Sequence, residues 1–227
     1  MSLLPRGKQI WKKHVEIYTD IFRQALLALS EMPSLIGKNE TTISRRLNDL
    51  VQQKCFAYDR DLAYPICETP IVPEETEEEY RYQETGCPDF SCRLKNPHAS
   101  SCRESEFDFH IECKCLGSPT SSSWILNKNY VNHGIMRFDL KDKRYGENVP
   151  DGMMIGYVIS MNAEDICKEV NAELVKTKRK FTPISFSPSS DLLKETTQQI
   201  KRIVITPPDF TLIHLWIILN HSDAETF

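Results

Sequence analysis

The stretch FDFHIECKCLG, residues 107–117, alternates: Phe107, Phe109, Ile111, Cys113 and Cys115 are apolar, and Asp108, His110, Glu112 and Lys114 stand between them. Side chains of a strand point to opposite faces with period two, so the sequence predicts one apolar face and one face carrying two acids, a histidine and a lysine. Residues 90–111 separate Glu112-Cys113-Lys114 from an upstream Pro88-Asp89. Two carboxylates, Asp89 and Glu112, are the hard oxygen ligands that suit Mg²⁺ while leaving water in its other positions. Lys114 is a compact point charge, able to orient or deprotonate a water and to offset anionic charge at a reacting centre. The simpler use of the same residues is a wet strand face on which Lys114 makes a surface ion pair with Asp89 or Glu112.

By the order of elements, Glu112-Cys113-Lys114 lies on the strand after the segment that follows Asp89. The acidic run PEETEEEYRYQETG turns strand-like around Tyr80 and Tyr82, Gly86-Cys87-Pro88-Asp89 interrupts it, and FSCRL continues extended. KNPHASSCRES reads as a turn into the 107–117 strand, which Gly117-Ser118-Pro119 closes. SSSWILNKNYVNHGIMRF predicts a helix with Tyr130, Ile135 and Phe138 inward, and GMMIGYVISM predicts a strand covered on both faces. Around this core, three-to-four spacing from Lys8 to Ser30 predicts an amphipathic helix. Its apolar positions include Trp11, Tyr18 and Phe22, and most of that face belongs in the chain's own core. A second helix starts near Asn39 to Thr42 and presents Ile43, Leu47, Leu50 and Val51 on one side. AEDICKEVNAELVKTK reads as a helix, and KRIVITPPDFTLIHLWIIL as one or two buried strands broken by Pro207-Pro208.

Pro88-Asp89 followed by Glu112-Cys113-Lys114 is the PD-(D/E)xK pattern, and the segment from about Glu79 to Met161 resembles the core of the restriction-endonuclease-like nuclease superfamily in motif and element order. The other Pro-Asp pairs, Pro150-Asp151 and Pro208-Asp209, are followed by no acid-x-Lys triplet, and Asp139-Leu140-Lys141 lies in a charged, loop-like stretch. The resemblance implies an α/β fold with a central mixed sheet flanked by helices and an N-terminal helical extension. It implies Mg²⁺, replaceable by Mn²⁺, held by Asp89, Glu112 and the backbone carbonyl of Cys113, with Lys114 and a helix glutamate, Glu40, completing the catalytic set. It further implies hydrolysis of phosphodiester bonds in DNA and, by analogy, a bacterial restriction or anti-phage setting. A relative that keeps the fold but serves binding or assembly within a larger complex is the alternative.

The 227 residues, 40% of them hydrophobic, suffice for one domain: a helical part to residue 54, a core at about 79–161, and a helix and strands over 162–227. With 28 Lys and Arg against 32 Asp and Glu the net charge is −4, which argues against a generally basic nucleic-acid coat. The sequence predicts weak, salt-sensitive DNA binding by the isolated chain and an active form that is a homo-oligomer or a subunit of a defence complex. His133 and Arg137, one turn apart on a predicted helix, and Lys178 and Arg179 in a basic run are candidate phosphate contacts. No signal peptide is evident, and FTLIHLWIIL is too short to span a bilayer, so a cytoplasmic protein without a membrane partner is expected. Cys87, Cys92, Cys102, Cys113 and Cys115 are spaced poorly for structural zinc and are expected to be free thiols. Because Asp89 and Glu112 are assigned to a polar face, their removal is expected to leave the fold intact.

Overall fold

The computed structural model describes residues 5–35, 37–68, 87–96, 99, 105–187 and 191–220. Among the described residues, four helices, α1 (Pro5–Ser30), α2 (Glu40–Tyr58), α3 (Leu126–Asn132) and α4 (Ala163–Lys176), flank a seven-stranded mixed sheet. The strands are β1 (Ile66–Cys67), β2 (Phe90–Lys95), β3 (Glu106–Leu116), β4 (Asp151–Val158), β5 (Lys180–Phe181), β6 (Leu193–Lys201) and β7 (Asp209–Ile218). Their order across the sheet is β1-β2-β3-β4-β7-β6-β5. β4 lies at the centre and runs parallel to both β3 and β7, while the outer pairs are antiparallel. No helix among the described residues is long and apolar enough to cross a membrane.

The period-two rule sorts β3 cleanly. Phe109, Ile111, Cys113 and Cys115 join Met153, Ile155 and Tyr157 of β4 under α1 and α2, whereas Leu116, Met154 and Val158 pack with α3 and α4 on the other face. α1 buries Trp11, Val15, Tyr18, Phe22, Ala25 and Leu29, positions four and three apart that form one stripe. Trp11 anchors it, since its indole Nε1 donates to Asp151 at 2.7 Å. α2 begins at an Asn39 cap whose side chain accepts from the Thr42 amide at 2.9 Å. That cap fixes where Glu40 stands. Gly156 in β4 is required by close approach: a Cβ there would lie 2.5 Å from Leu116 and 2.6 Å from Trp216.

The structure departs from the sequence reading at four places. The helix expected around Tyr130 ends at Asn132 and a 3₁₀ turn, Ile135–Asp139, takes over, so His133 and Arg137 do not share a helical face. Tyr130, Ile135 and Phe138 are nevertheless all buried. The segment after α2 holds the short edge strand β1, and the C-terminal part holds β5 and a full strand, β6, whose polar LKETTQQIK sequence carries little hydrophobic signal. The expected strand at Tyr80 and Tyr82 lies outside the described residues.

A buried polar chain ties β6, β7 and α3 together. Trp216 Nε1 donates to the Tyr130 hydroxyl at 2.8 Å, and Tyr130 donates to His214 Nδ1 at 2.7 Å. His214 Nε2 donates to Gln198 Oε1 at 3.1 Å, and Gln198 Nε2 to the Thr182 carbonyl at 2.6 Å. Every member is satisfied only while His214 is neutral. Burial pushes its pKa down from 6.5 to about 3, and burial, with Arg93 nearby, does the same to His110. A lowered folded-state pKa means that below pH 6.5 the unfolded chain binds protons the folded chain refuses, so stability falls as the pH drops from there towards 3. Each imidazole contributes about 1.4 kcal/mol per pH unit in that window. Urea unfolding at pH 7, 6 and 5 should therefore give a steep loss, and His214→Gln should remove about 1.4 kcal/mol per pH unit from the slope. An unchanged slope in the variant would contradict the neutral-histidine account.

Candidate active site

The site arises where β2 and β3 part. Their pairing runs from Lys95 opposite Glu106 to Phe90 opposite Ile111 and ends there, while β3 continues to Leu116. Past Ile111 the amides of Cys113 and Cys115 have lost their neighbouring strand, and unpaired backbone donors at such an edge are costly. Two carboxylates replace it. Asp89, immediately before β2, accepts the Cys113 amide on Oδ2 at 2.6 Å, and Glu40, in the first turn of α2, accepts the Cys115 amide on Oε2 at 2.9 Å. The splayed edge thus draws Asp89 and Glu40 to the part of β3 that carries Glu112 and Lys114.

Lys114 sits among oxygens. Its Nζ lies 2.7 Å from Glu112 Oε1, 2.7 Å from the Cys113 carbonyl and 3.0 Å from Glu40 Oε1. Burial by itself lowers the ammonium's pKa, but Glu112, Asp89 and Glu40 outweigh that and hold it above the ordinary lysine value. Glu112 is 1% exposed, and Arg137 Nη1 reaches its Oε1 at 2.7 Å while also donating to the Tyr145 hydroxyl at 3.1 Å. The polar face of β3 is therefore covered, contrary to the wet face that alternation alone suggests. The expectation that removing Glu112 spares the fold loses its premise, because Glu112 is buried and two cations depend on it. Asp89, Glu112, Lys114, Glu40 and the Cys113 carbonyl are brought together, and so is Arg137, by a bond to Glu112 rather than by a helical face shared with His133.

The remaining candidates have other surroundings. His133 is exposed and caps the C-terminus of α3. Arg179 pairs with buried Asp139 at 3.1 Å, and Asp139 Oδ1 also accepts the amides of Ile203 and Val204, so Arg179 braces the end of α4 against that loop. Lys178 is exposed. His110 is buried and accepts the Gly146 amide on Nδ1 at 2.9 Å, and Asp108 bonds Arg93 at 3.2 Å, so both are engaged with groups other than the carboxylates. Cys92, Cys113 and Cys115 lie on the apolar face, Cys87 is exposed, and Cys102 lies outside the described residues. Tyr145 was missed by the sequence reading; it sits in a loop, where no periodicity points to it.

A divalent ion can be tested against these residues directly. Glu112 Oε2 is buried with no hydrogen-bond partner among the described residues, although its sister oxygen serves two cations. A buried, unmatched carboxylate oxygen is costly, and a cation satisfies it. Asp89 gives the same sign: burial first, then the Glu112 charge, push its carboxyl from 3.8 up to about 7. Among the described residues no three His, Cys, Asp or Glu side chains form a ready cage, but Mg²⁺ needs only one or two carboxylates beside its waters. The residues present fit such an ion.

The raised Asp89 carboxyl has a measurable consequence in chelator. A folded pKa above the unfolded one means that Asp89 costs nothing at pH 3, costs progressively more between about 4 and 7, and reaches its full cost above 7. Three units correspond to at most about 4 kcal/mol. Asp89→Asn should therefore be more stable than wild type at pH 8 in chelator, with the advantage gone near pH 4. Millimolar Mn²⁺ should raise the melting temperature of wild type and not that of the variant. Equal melting of the two proteins across this range would refute the assignment.

The chain matches no family model, and neither a curated protein nor a solved structure matches it at a significant level.

Proposed function

We propose that this chain is a metal-dependent nuclease with a restriction-endonuclease-like core, hydrolysing phosphodiester bonds in DNA at the parted edge of β2 and β3. The observation that carries the reading is the meeting of Asp89, Glu112, the Cys113 carbonyl and Lys114, with one buried Glu112 oxygen left unmatched. Asp89, Glu112 and the Cys113 carbonyl are the groups to hold Mg²⁺, which supplies neutralisation of phosphate charge and a more acidic water. Lys114, kept charged by three oxygens, orients the attacking water and offsets charge on the phosphate rather than serving as a base. Glu40 holds Lys114 and the Cys115 amide in register. Arg137 fixes the rotamer of Glu112 through the same oxygen that Lys114 reaches, and Tyr145 fixes Arg137. The restriction or anti-phage setting, a cytoplasmic location and an active form with a second subunit remain part of this proposal.

A binding or assembly subunit is the second reading, and one observation favours it: Lys114 already neutralises Glu40 and Glu112 internally. Titration calorimetry with Mn²⁺ separates the two. A nuclease site binds the ion in wild type and loses it in Glu112→Gln. An assembly subunit with a closed ion-pair cluster gives no heat in either protein.

A further inference from the structure

A pocket of about 560 Å³ opens beside Asp89, between α2 and the β1 edge. Thr42, Ser44, Arg45 and Asn48 line it from α2, and Glu68 and Asp89 line it from the opposite wall. That volume falls in the range of pockets that enclose a small organic ligand, about 300–1,000 Å³, and exceeds what one phosphate fills. Its walls combine hydroxyls and an amide with the apolar side chains of Leu35, Cys67 and Phe90. Arg46 is spent on Asp49 at 3.3 Å, whereas Arg45 is exposed and makes no ion pair among the described residues. The backbone fixes both walls: the Glu68 amide donates to the Asp89 carbonyl at 3.3 Å, and Asn39 caps the helix that carries Arg45.

We infer that this pocket receives an unpaired nucleotide next to the scissile phosphate, with Arg45 gripping a phosphate of the same strand. The inference rests on the nuclease reading, because only a phosphodiester at Asp89 places the adjoining nucleotide in the pocket. The hydroxyls and the amide suit a sugar and a base edge, the apolar side chains suit a base face, and the Arg45 guanidinium, without an ion pair among the described residues, suits a phosphate, which it can meet with two parallel N–H donors. Glu68 repels phosphate and so favours the Arg45 side. A paired nucleotide enters such a pocket only after leaving its stack, at a cost of a few kcal/mol, whereas an unpaired one pays no such cost. The pocket therefore selects single strands, flaps or frayed ends over intact duplex.

The test compares a labelled single-stranded oligonucleotide with the same sequence as a blunt duplex. Cleavage is followed in Mg²⁺, and binding by fluorescence anisotropy in chelator over a range of salt. Wild type should show a KM for the single strand at least about tenfold below that for the duplex. Arg45→Ala should raise the single-strand KM about tenfold, with the loss in KM rather than kcat. It should also make the slope of log Kd against log salt shallower by about 0.7, one phosphate contact. Lys168→Ala, which removes one positive charge from α4, should change neither quantity. If wild type cuts and Arg45→Ala keeps its KM and salt slope, or if duplex and single strand are cut with equal KM, the pocket assignment falls and the nuclease reading stands. If wild type neither binds nor cuts any of these substrates, both fall.

Discussion

Glu112→Ala should both abolish cleavage and weaken the fold, whereas Glu112→Gln should abolish cleavage with much less loss of stability. The difference follows from what Glu112 holds. Its Oε1 lies 2.7 Å from Lys114 and 2.7 Å from Arg137 in a place with almost no solvent. Alanine leaves Lys114 leaning on Glu40 and the Cys113 carbonyl and Arg137 on Tyr145 alone. Breaking a buried pair from one side costs about 3–5 kcal/mol, a large share of the roughly 5–15 kcal/mol that holds a domain together. Glutamine keeps the shape and an oxygen for Arg137, so less of that cost appears. On the proposed reading both variants lose the charged oxygen that would hold the metal, and turnover should drop by roughly 10³ or more. Urea melts in chelator check the stability half and plasmid cleavage in Mg²⁺ the activity half. Full cleavage by Glu112→Gln would remove Glu112 from the site.

Lys114→Met should separate metal binding from turnover in the opposite way. The ammonium rests on three oxygens, Glu112 Oε1, Glu40 Oε1 and the Cys113 carbonyl, and two of these groups are among those proposed to hold the cation. Lys114 and a divalent ion therefore compete in part for the same oxygens. Methionine fills the space without charge, so Mn²⁺ should bind at least as tightly as to wild type. Turnover should fall by roughly 10²–10⁴, the usual worth of a group that positions or activates the reacting water. Without metal the variant brings Glu40 and Glu112 together with no positive charge between them. It should melt below wild type in chelator and recover on adding Mn²⁺. A variant that cuts normally would show that the lysine has only a structural role.

The sequence made the elements with strong periodicity readable: the α1 stripe through Trp11, Tyr18 and Phe22, the α4 stripe through Ile166, Val170 and Leu174, and the alternation of β3. β6 escaped because a strand beside an outer edge can be polar, and LKETTQQIK buries only Gln198 and Ile200. Of the candidate site, the spacing from Asp89 to Lys114 carried Asp89, Glu112 and Lys114, and Glu40 came from the resemblance, which implies a glutamate at the head of the second helix. Two things were not legible. One was that β2 stops pairing at Ile111, which is a matter of register and makes Asp89 and Glu40 caps for two stranded amides. The other was that Arg137 and Tyr145 close over Glu112, because a 3₁₀ turn and a loop bring them there and neither has a period to read.

The most direct test of the central claim is cleavage of supercoiled plasmid and single-stranded DNA by purified wild-type protein across a Mg²⁺ titration, with chelator as the zero point. The account predicts no cleavage in chelator, activity that rises and saturates with Mg²⁺, and the same dependence with Mn²⁺. Cleavage that persists unchanged in chelator, or none at any concentration of either ion while Mn²⁺ fails to bind, would contradict it.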